Sequence, residues 1–409
     1  MKSKRIQLSI FEVANIYANH EAVSNEVLYK NYGVLNGISK EKLNKLEPIG
    51  KDGRMYSKTK REVRWYQQEL KQLGLLERVE GQRGVWRLTE TGKNKVALHQ
   101  INSSFQMLAF STKLGIALWG DARKIFEKST EPIHLMLSSP PYPLNEPRVY
   151  GNVQENEYVD WLCYMIEPII KNLVEGGSVV LNISNDISIK NSPHKSLYKE
   201  RLVLALHDRL GLYKMDEIPW VNTSKIPSNP WATQKKIQML PSWEPILWLC
   251  NNPSKTKADT TRILQPYSKS HLNYVAQGGS KKDYINGDGT YHVRKGAFSQ
   301  INDGALPRNV FQRGHRSSST NNYHQICKAL NLPKHPAMFP IELPRHFIQF
   351  LTEVGDMVVE PFGGSYTTPL AAEVLGRKWM ASDIMWEYIR GGGERFEKVE
   401  FERGFLEAI

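Results

Sequence analysis

Residues 358–383 read VVEPFGGSYTTPLAAEVLGRKWMASD, and the succession of residue types in this stretch decides the fold that contains it. Two valines and a glutamate run as a buried strand that stops at Pro361, which has no N–H to give to a ladder. Gly363 and Gly364 permit a tight turn, and Thr367-Thr368 opens a helix of small residues. About twenty residues after the glycines a second strand closes on Asp383, the offset at which nucleotide-binding folds carry a ribose-binding acid. A strand, glycine loop, helix and acid-ended strand let a nucleotide-like group approach the backbone closely.

Outward from this unit, apolar runs and helical spacings alternate. Strand candidates are IALWG (116–120), HLMLS (134–138), SVVLNIS (178–184), ILWLC (246–250), MVVEPF (357–362) and KWMASDI (378–384). Helices fit at 158–174, 198–210, 343–354 and 367–376, with Gly176-Gly177 read as the left-handed end of the first. Near-continuous apolar strands between helices predict an α/β fold with a mainly parallel sheet covered on both faces. Ligands of such sheets sit beyond the carboxyl ends of the strands.

The chain of 409 residues has 40% apolar residues, enough for two or three domains with real cores. Its N-terminus carries no long apolar run, which reads as a soluble, unexported, cytoplasmic protein with no membrane partner. Cys163, Cys250 and Cys327 stand apart without CxxC spacing, so neither a disulfide frame nor a metal site is expected. The net charge of +12 is concentrated: residues 1–100 hold 19 Lys/Arg against 11 Asp/Glu, and residues 251–330 hold 12 against 4. Two basic blocks around a mildly acidic body suit a polyanion partner, although a solvated lysine-rich surface would have the same composition.

The first block has its own pattern. Helices near 8–19 and 22–31 precede REVRWYQQELKQL (61–73), where Val63, Tyr66, Leu70 and Leu73 share a face and Lys58, Lys60, Arg61 and Arg64 crowd the entry. LLERVE, GQRG and VWRL then read as a hairpin, with Arg83 in its turn, and Thr89 opens a further helix. This is the order of a winged helix-turn-helix, a module that either contacts DNA or dimerises. The boundaries expected are a small domain at 1–97, a linker at 98–112, a catalytic part at 113–250, an irregular basic insert at 251–330, and a last part at 331–409.

A second stretch carries chemistry. Residues 137–143, LSSPPYP, end a core strand with two prolines flanked by a hydroxyl and an aromatic ring. Taken with EPFGGSYTT (360–368), Ser139-Pro140-Pro141-Tyr142 makes the chain from about 113 to 395 resemble the S-adenosylmethionine-dependent DNA amino-methyltransferases, whose catalytic tetrad is D/N/S-P-P-Y/F/W and whose cofactor loop is DPFxGSGTT-like. HPAMFPIELPRHFI (335–348) resembles the segment that closes over the methionine end of the cofactor. The tetrad-first order resembles the permuted beta class, which implies a Rossmann-like, seven-stranded methyltransferase sheet and a target-recognition role for the insert.

The resemblance also implies site roles. Ser139, Pro140, Pro141 and Tyr142 are the expected catalytic residues; Glu360, Pro361, Phe362, Gly364, Ser365, Thr367, Asp383, Phe339, Pro340 and Asp121 the cofactor-binding ones. Duplex DNA is the implied partner, held by Lys58, Lys60, Arg61, Arg64 and Arg83 and, on the insert, by Lys281, Lys282, Arg294, Arg313 and Arg316. Asp121 reads equally as a helix N-cap; Asn182 and Ser184 either shape the pocket or end a strand; Glu244 is either a paired buried acid or a pocket residue.

Ser at the head of the tetrad resembles the cytosine-N4 members, adenine-N6 being the alternative. No Pro-Cys pair is present for carbon-5 cytosine chemistry. Glu360 stands where the family has Asp, a longer acid still able to reach the cofactor, and Tyr366 stands where it has glycine, a side chain that would crowd the cofactor or force another turn. Tyr366 and the winged helix together motivate a rival reading, a DNA-binding regulator without catalysis; an RNA methyltransferase is a third. A restriction-modification setting implies a cognate endonuclease, and the protein acts as a monomer or homodimer.

Overall fold

The computed structural model describes residues 13, 16–17, 20, 22–35, 38–49, 54–72, 74–90, 93, 106–144, 153–189, 191–222, 229–285, 287, 289–315 and 317–409. The chain divides into two units, residues 1–107 with 141–161, and residues 108–140 with 162–409. No described helix is long and apolar enough to cross a membrane.

In the first unit Val13, Ile16 and Tyr17 are helical and buried at the spacing of a single helix face. β1 (Val23–Ser24), α1 (Asn25–Leu35), α2 (Lys40–Asn44), β2 (Leu46–Ile49) and β3 (Arg54–Ser57) lead to α3 (Lys58–Gln72), β4 (Leu76–Arg78) and β5 (Val85–Leu88). β1, β5 and β4 form an antiparallel sheet, and its Trp86 and Leu88 join Leu28, Val63 and Leu70 in one core. Ser57 Oγ caps α3, accepting the Lys60 N–H at 3.2 Å. Inside the helix Gln67 is buried but satisfied, donating to Tyr17 Oη at 2.6 Å and Asn25 Oδ1 at 3.0 Å. Lys58, Arg61 and Arg64 lie on the exposed face, with Lys60 half-buried, and Arg83 is exposed in the turn between β4 and β5, where Gly81 and Gly84 take positive φ. The predicted winged arrangement is therefore present, with an added hairpin, β2 and β3, ahead of α3. Leu73 and most of the helix expected after Thr89 lie outside the described residues.

The remaining elements begin with β6 (Gln106–Ser111), β7 (Gly115–Gly120), α4 (Ala122–Phe126), β8 (Ile133–Ser138), α5 (Glu155–Lys171), β9 (Leu173–Asn182), α6 (Tyr198–Leu210), β10 (Tyr213–Val221), α7 (Pro230–Thr233) and β11 (Trp243–Cys250). They continue with α8 (Lys269–Ala276), β12 (Tyr284–Ile285), β13 (His292–Val293), β14 (Phe311–Gln312), α9 (Ser318–Ala329) and α10 (Glu342–Leu351). The chain ends with β15 (Met357–Glu360), α11 (Thr367–Val374), β16 (Lys378–Asp383), α12 (Trp386–Gly393), β17 (Glu400–Phe401) and α13 (Arg403–Ala408).

One sheet of ten strands organises the second unit in the order β14-β10-β11-β9-β8-β15-β16-β7-β6-β17. The seven strands from β10 to β7 are the expected core of a Rossmann-like sheet. β9, β8, β15, β16 and β7 run parallel, β11 runs antiparallel to both β9 and β10, and β14, parallel to β10, extends one edge while β6 and β17 extend the other. Leu135, Met136 and Leu137 of β8, Val179 to Leu181 of β9 and Val358-Val359 of β15 are all about fully buried, as strands covered on both faces are. The chain passes from β8 to β9 on one side, whereas β15 lies against β8 on the other. The order therefore reverses between β8 and β15, the place where such sheets open a crevice.

The structure differs from several sequence expectations. Gly176-Gly177 does not end α5: the helix stops at Lys171, and the two glycines lie in the irregular start of β9. Gly176 is required there for another reason, because a Cβ on it would meet the Lys255 carbonyl oxygen at 1.9 Å. Of the expected linker, residues 98–105 lie outside the described set, and 106–111 form β6, with Ala109 and Phe110 fully buried. β10 was not expected, since Lys214, Asp216, Glu217 and Pro219 make it polar; it sits near the sheet edge, where proline is tolerated. The basic insert is not free-standing to residue 330, because β14 joins the sheet beside β10 and α9 buries Tyr323 and Cys327.

Candidate active site

Register fixes what meets at the crevice. Glu360 pairs with Ala381, Asp383 with Trp119 and Ser138 with Leu181, so the carboxyl ends of β8, β9, β15, β16 and β7 bring Ser139, Asn182, Glu360, Asp383 and Asp121 to one edge of the sheet. These residues are far apart in sequence. The strands alone unite them.

The loop after β15 is braced from within. Glu360 is 2% exposed, and both its oxygens are engaged: Oε1 accepts from Ser138 Oγ and, at 3.1 Å, from the Phe362 N–H, while Oε2 accepts from Thr368 Oγ1 at 3.1 Å. Desolvation pushes its carboxyl up to about 8 in spite of those donors. The expectation that this longer acid reaches outward to a cofactor is thus not met, because its extra methylene instead spans from the loop's start to the end of β8 and the first turn of α11. Asp383 holds the next part of the loop, its Oδ2 accepting the Gly364 N–H at 2.6 Å and its Oδ1 the Met385 N–H at 2.7 Å. Burial raises this acid too, to about 6. Gly364 has φ +50°, and a Cβ on it would lie 2.9 Å from His335 Nε2, so glycine suits both the left-handed turn and the close approach of the His335 ring.

Tyr366 resolves the second departure from the pattern. It keeps the left-handed backbone expected of glycine, φ +59° and ψ 34°, just before α11. Its ring turns into the core, 0% exposed, 5.3 Å from Phe110 and 6.5 Å from Trp379 by centroid. Gly392 and Gly363 make room, since a Cβ on either would stand 2.8 Å and 3.0 Å from the ring. The side chain neither crowds the crevice nor alters the turn. Left-handed backbone at a non-glycine residue costs on the order of 1–3 kcal/mol, which burying a large ring offsets.

Ser365 and Thr367 also face inward, 5% and 4% exposed, with hydroxyls 3.0 Å apart. Beneath them lies Arg395, which sequence reasoning missed. Its guanidinium donates to the Ser365 carbonyl at 2.5 Å and Thr367 Oγ1 at 2.9 Å and, through its other nitrogen, to Ser319 Oγ at 2.7 Å, with the Tyr323 ring 5.6 Å away. Burial pushes its pKa down to about 10. No local signal marks an arginine after GGGE as a loop anchor; only the return of α9 against α12 reveals it.

Opposite the loop, Ser139 Oγ donates toward Asn182 Oδ1 at 3.5 Å, and Asn182 Nδ2 donates to the Pro245 carbonyl at 3.4 Å. Asn182, the last residue of β9, is 4% exposed. Ser184 instead builds the following turn, accepting the Asp186 N–H at 3.1 Å, and its carbonyl accepts from Tyr198 Oη. Pro140 is buried; Pro141 and Tyr142 continue the chain half-buried. Asp121 caps α4 through the Lys124 N–H at 3.1 Å, as its alternative reading expected. Glu244, the second residue of β11, is half-buried across from Trp220. Pro361 and Phe362 follow β15 directly, and Pro340 is buried and accepts the Leu343 N–H at 3.0 Å, setting Phe339 at the entry to α10.

On the insert, Lys281, Lys282, Arg294 and Arg313 are all exposed, the first three flanking the paired strands β12 and β13. Arg313 lines a cleft of about 1350 Å³ with Arg262, Arg308 and Arg345, and the other three are not among its lining residues. Arg316 lies outside the described residues.

The chain matches the family model for DNA methylase over residues 133–393 and that for the Mrr N-terminal domain over residues 11–97. Type II methyltransferase M.PvuII of Proteus hauseri is 33% identical over 293 residues, 70% of this chain and 85% of that protein. DNA adenine methyltransferase YhdJ of Escherichia coli (strain K12) is 24% identical over 291 residues, 70% of this chain and 84% of that protein. Among solved structures, PvuII DNA methyltransferase (cytosine-N4-specific) superposes with a TM-score of 0.56 at 29% identity, covering 74% of this chain and 93% of that one.

Proposed function

The chain belongs to the DNA methylase family, and from that premise we propose that it moves a methyl group from S-adenosylmethionine to the exocyclic N4 amine of a cytosine swung out of duplex DNA. The observation that carries the reading is the meeting of Ser139 and Asn182, Oγ to Oδ1 at 3.5 Å, at the carboxyl ends of β8 and β9, on the edge where Asp383 closes β16. A serine hydroxyl at that edge can accept a hydrogen bond as well as donate one.

An exocyclic amine on cytosine is a poor nucleophile because its lone pair is delocalised into the ring. Ser139 Oγ and the Pro140 carbonyl accept its two N–H groups, favour a pyramidal nitrogen and return electron density to it. The paired prolines fix that carbonyl and add no competing donor. Tyr142 stacks on the extruded base and offsets part of the few kcal/mol that unstacking costs.

The residues opposite suit the cofactor. Asp383 retains lone pairs beyond its two backbone bonds for ribose hydroxyls, and Phe362, Gly364 and the backbone from Ser365 to Thr367 line the approach. Phe339 and Pro340 flank the methionine end, and Asp121 lies at the adenine end. When bound, the cofactor supplies an electrophilic methyl on a cationic sulfur.

Serine at the head of the tetrad and the cytosine-N4 designation of the PvuII structure favour cytosine over adenine. The regulator reading drew on Tyr366, and a ring buried in the core removes that motive. The Type II designation of M.PvuII supports a cytoplasmic modification enzyme working beside a cognate restriction endonuclease. The first unit's exposed Lys58, Arg61, Arg64 and Arg83 grip duplex phosphates, and the exposed basic residues of the insert contact the target site. Sequencing DNA from cells that express the protein, with a method that distinguishes modified bases, tests this reading: N4-methylcytosine in a fixed motif is expected, and N6-methyladenine as the sole product overturns the cytosine assignment.

A further inference from the structure

Residues 222–242 read NTSKIPSNPWATQKKIQMLPS, with three lysines and no acid. The segment joins the end of β10 to the start of β11, and because Ile246 of β11 pairs with Asn182, its root stands on the same edge as Ser139. Two strand spacings of about 4.8 Å each place that root about 10 Å from the end of β8.

Residues 229–242 form a built turn. Asn229 Oδ1 caps α7 by accepting the Trp231 N–H at 2.9 Å, Lys236 reverses the chain with φ +58°, and the Ile237 N–H returns to the Trp231 carbonyl at 3.0 Å. Gln238 is the staple: its Oε1 accepts from Asn229 Nδ2 at 3.0 Å and its Nε2 donates to the Pro193 carbonyl. The neck closes where the Asn222 N–H meets the Ser242 carbonyl at 2.7 Å. Held this way, the turn displays Met239 94% exposed, Ile237 61% and Leu240 56%, with Lys235 and Lys236 exposed beside them.

An ordered turn that presents three aliphatic side chains to water forgoes the favourable burial of their surface. The charged side chains described on the turn, Lys235 and Lys236, are both positive. Aliphatic tips beside two lysines, near residues that need an extruded base, fit duplex DNA: lysines for phosphates, and an apolar wedge for an opened base step. We infer that Met239, with Leu240 beside it, enters the stack next to the target cytosine and holds open the gap that the base leaves. Methionine suits this, being unbranched and able to fill an irregular space. The inference rests on the DNA-methylating reading above.

The test uses the full chain with S-adenosylmethionine and a duplex carrying the motif mapped for the wild-type protein. A wild-type protein that methylates no DNA sinks the underlying reading and leaves the wedge aside. Otherwise Met239→Ala and Met239→Leu are compared in single turnover, with 2-aminopurine beside the target reporting unstacking, on a matched duplex and on one whose target cytosine faces an abasic site. Met239→Ala is expected to lose about 10- to 100-fold in rate and the fluorescence rise on the matched duplex, and to recover to within about 3-fold of wild type on the abasic one, where extrusion costs little. Met239→Leu is expected to stay within about 3-fold throughout, since leucine also serves as a wedge. A Met239→Ala rate equal to wild type on the matched duplex, or lost equally on both duplexes, overturns the wedge, the second result marking a general binding or structural role.

Discussion

Glu360 shows how much one methylene changes. Its oxygens take three donors from β8, the loop and α11, yet desolvation raises its carboxyl to about 8, so it holds a proton more tightly folded than unfolded. Its contribution to stability is therefore complete below the ordinary carboxyl range near 4.5 and is lost as pH rises through about 8. Glu360→Gln, neutral at every pH, is expected to melt several degrees above wild type at pH 8.5 and close to it at pH 5; calorimetry showing the same offset at both pH values contradicts this assignment. Ser139, by contrast, was marked in the sequence by the tetrad taken together with the glycine loop, whereas its meeting with Asn182 was not, because residues 43 apart in sequence come together only when β8 and β9 pair. Tyr366 was misjudged for a similar reason. Its backbone follows from the loop pattern, but the direction of its ring depends on Gly392, which packs against it from α12.

Among the elements, the strands with near-continuous apolar runs, β8, β9, β11, β15 and β16, were readable because burial on both faces leaves no other composition. β10 and β6 were not, since one carries charges and a proline and the other is short and mixed. The loop between β15 and α11 was recognisable from its glycines, but its anchor was hidden: Arg395 ties the Ser365 carbonyl and Thr367 to Ser319 of α9. Arg395→Met removes those bonds while keeping much of the volume, and leaves buried acceptors unpaired at about 1–3 kcal/mol. Isothermal calorimetry is expected to show S-adenosylmethionine bound about 10-fold or more weakly by this variant, with the duplex affinity within about 3-fold of wild type, because 1.4 kcal/mol is a factor of ten. Unchanged cofactor affinity contradicts the anchoring role.

At the scale of the whole molecule, two basic blocks were visible in composition before any element was assigned, and the fold gives each a surface. Lys58, Arg61, Arg64 and Arg83 are exposed on α3 and the wing turn of the first unit. Replacing Arg61 and Arg64 by Ala is expected to lower the slope of log affinity against log salt by about two, roughly 0.9 per lost phosphate contact, without altering the methylated motif. A slope unchanged from wild type assigns that face to another role, of which dimerisation is the one the winged pattern also allows. The account as a whole stands on the acceptor pair at the end of β8. Its most direct test is the single-turnover rate of methyl transfer to cytosine N4 by Ser139→Ala, measured beside the dissociation constant for S-adenosylmethionine. The account predicts a rate lower by about 10²- to 10³-fold, as for loss of one transition-state hydrogen bond, with cofactor binding unchanged. A variant that methylates cytosine at the wild-type rate contradicts it.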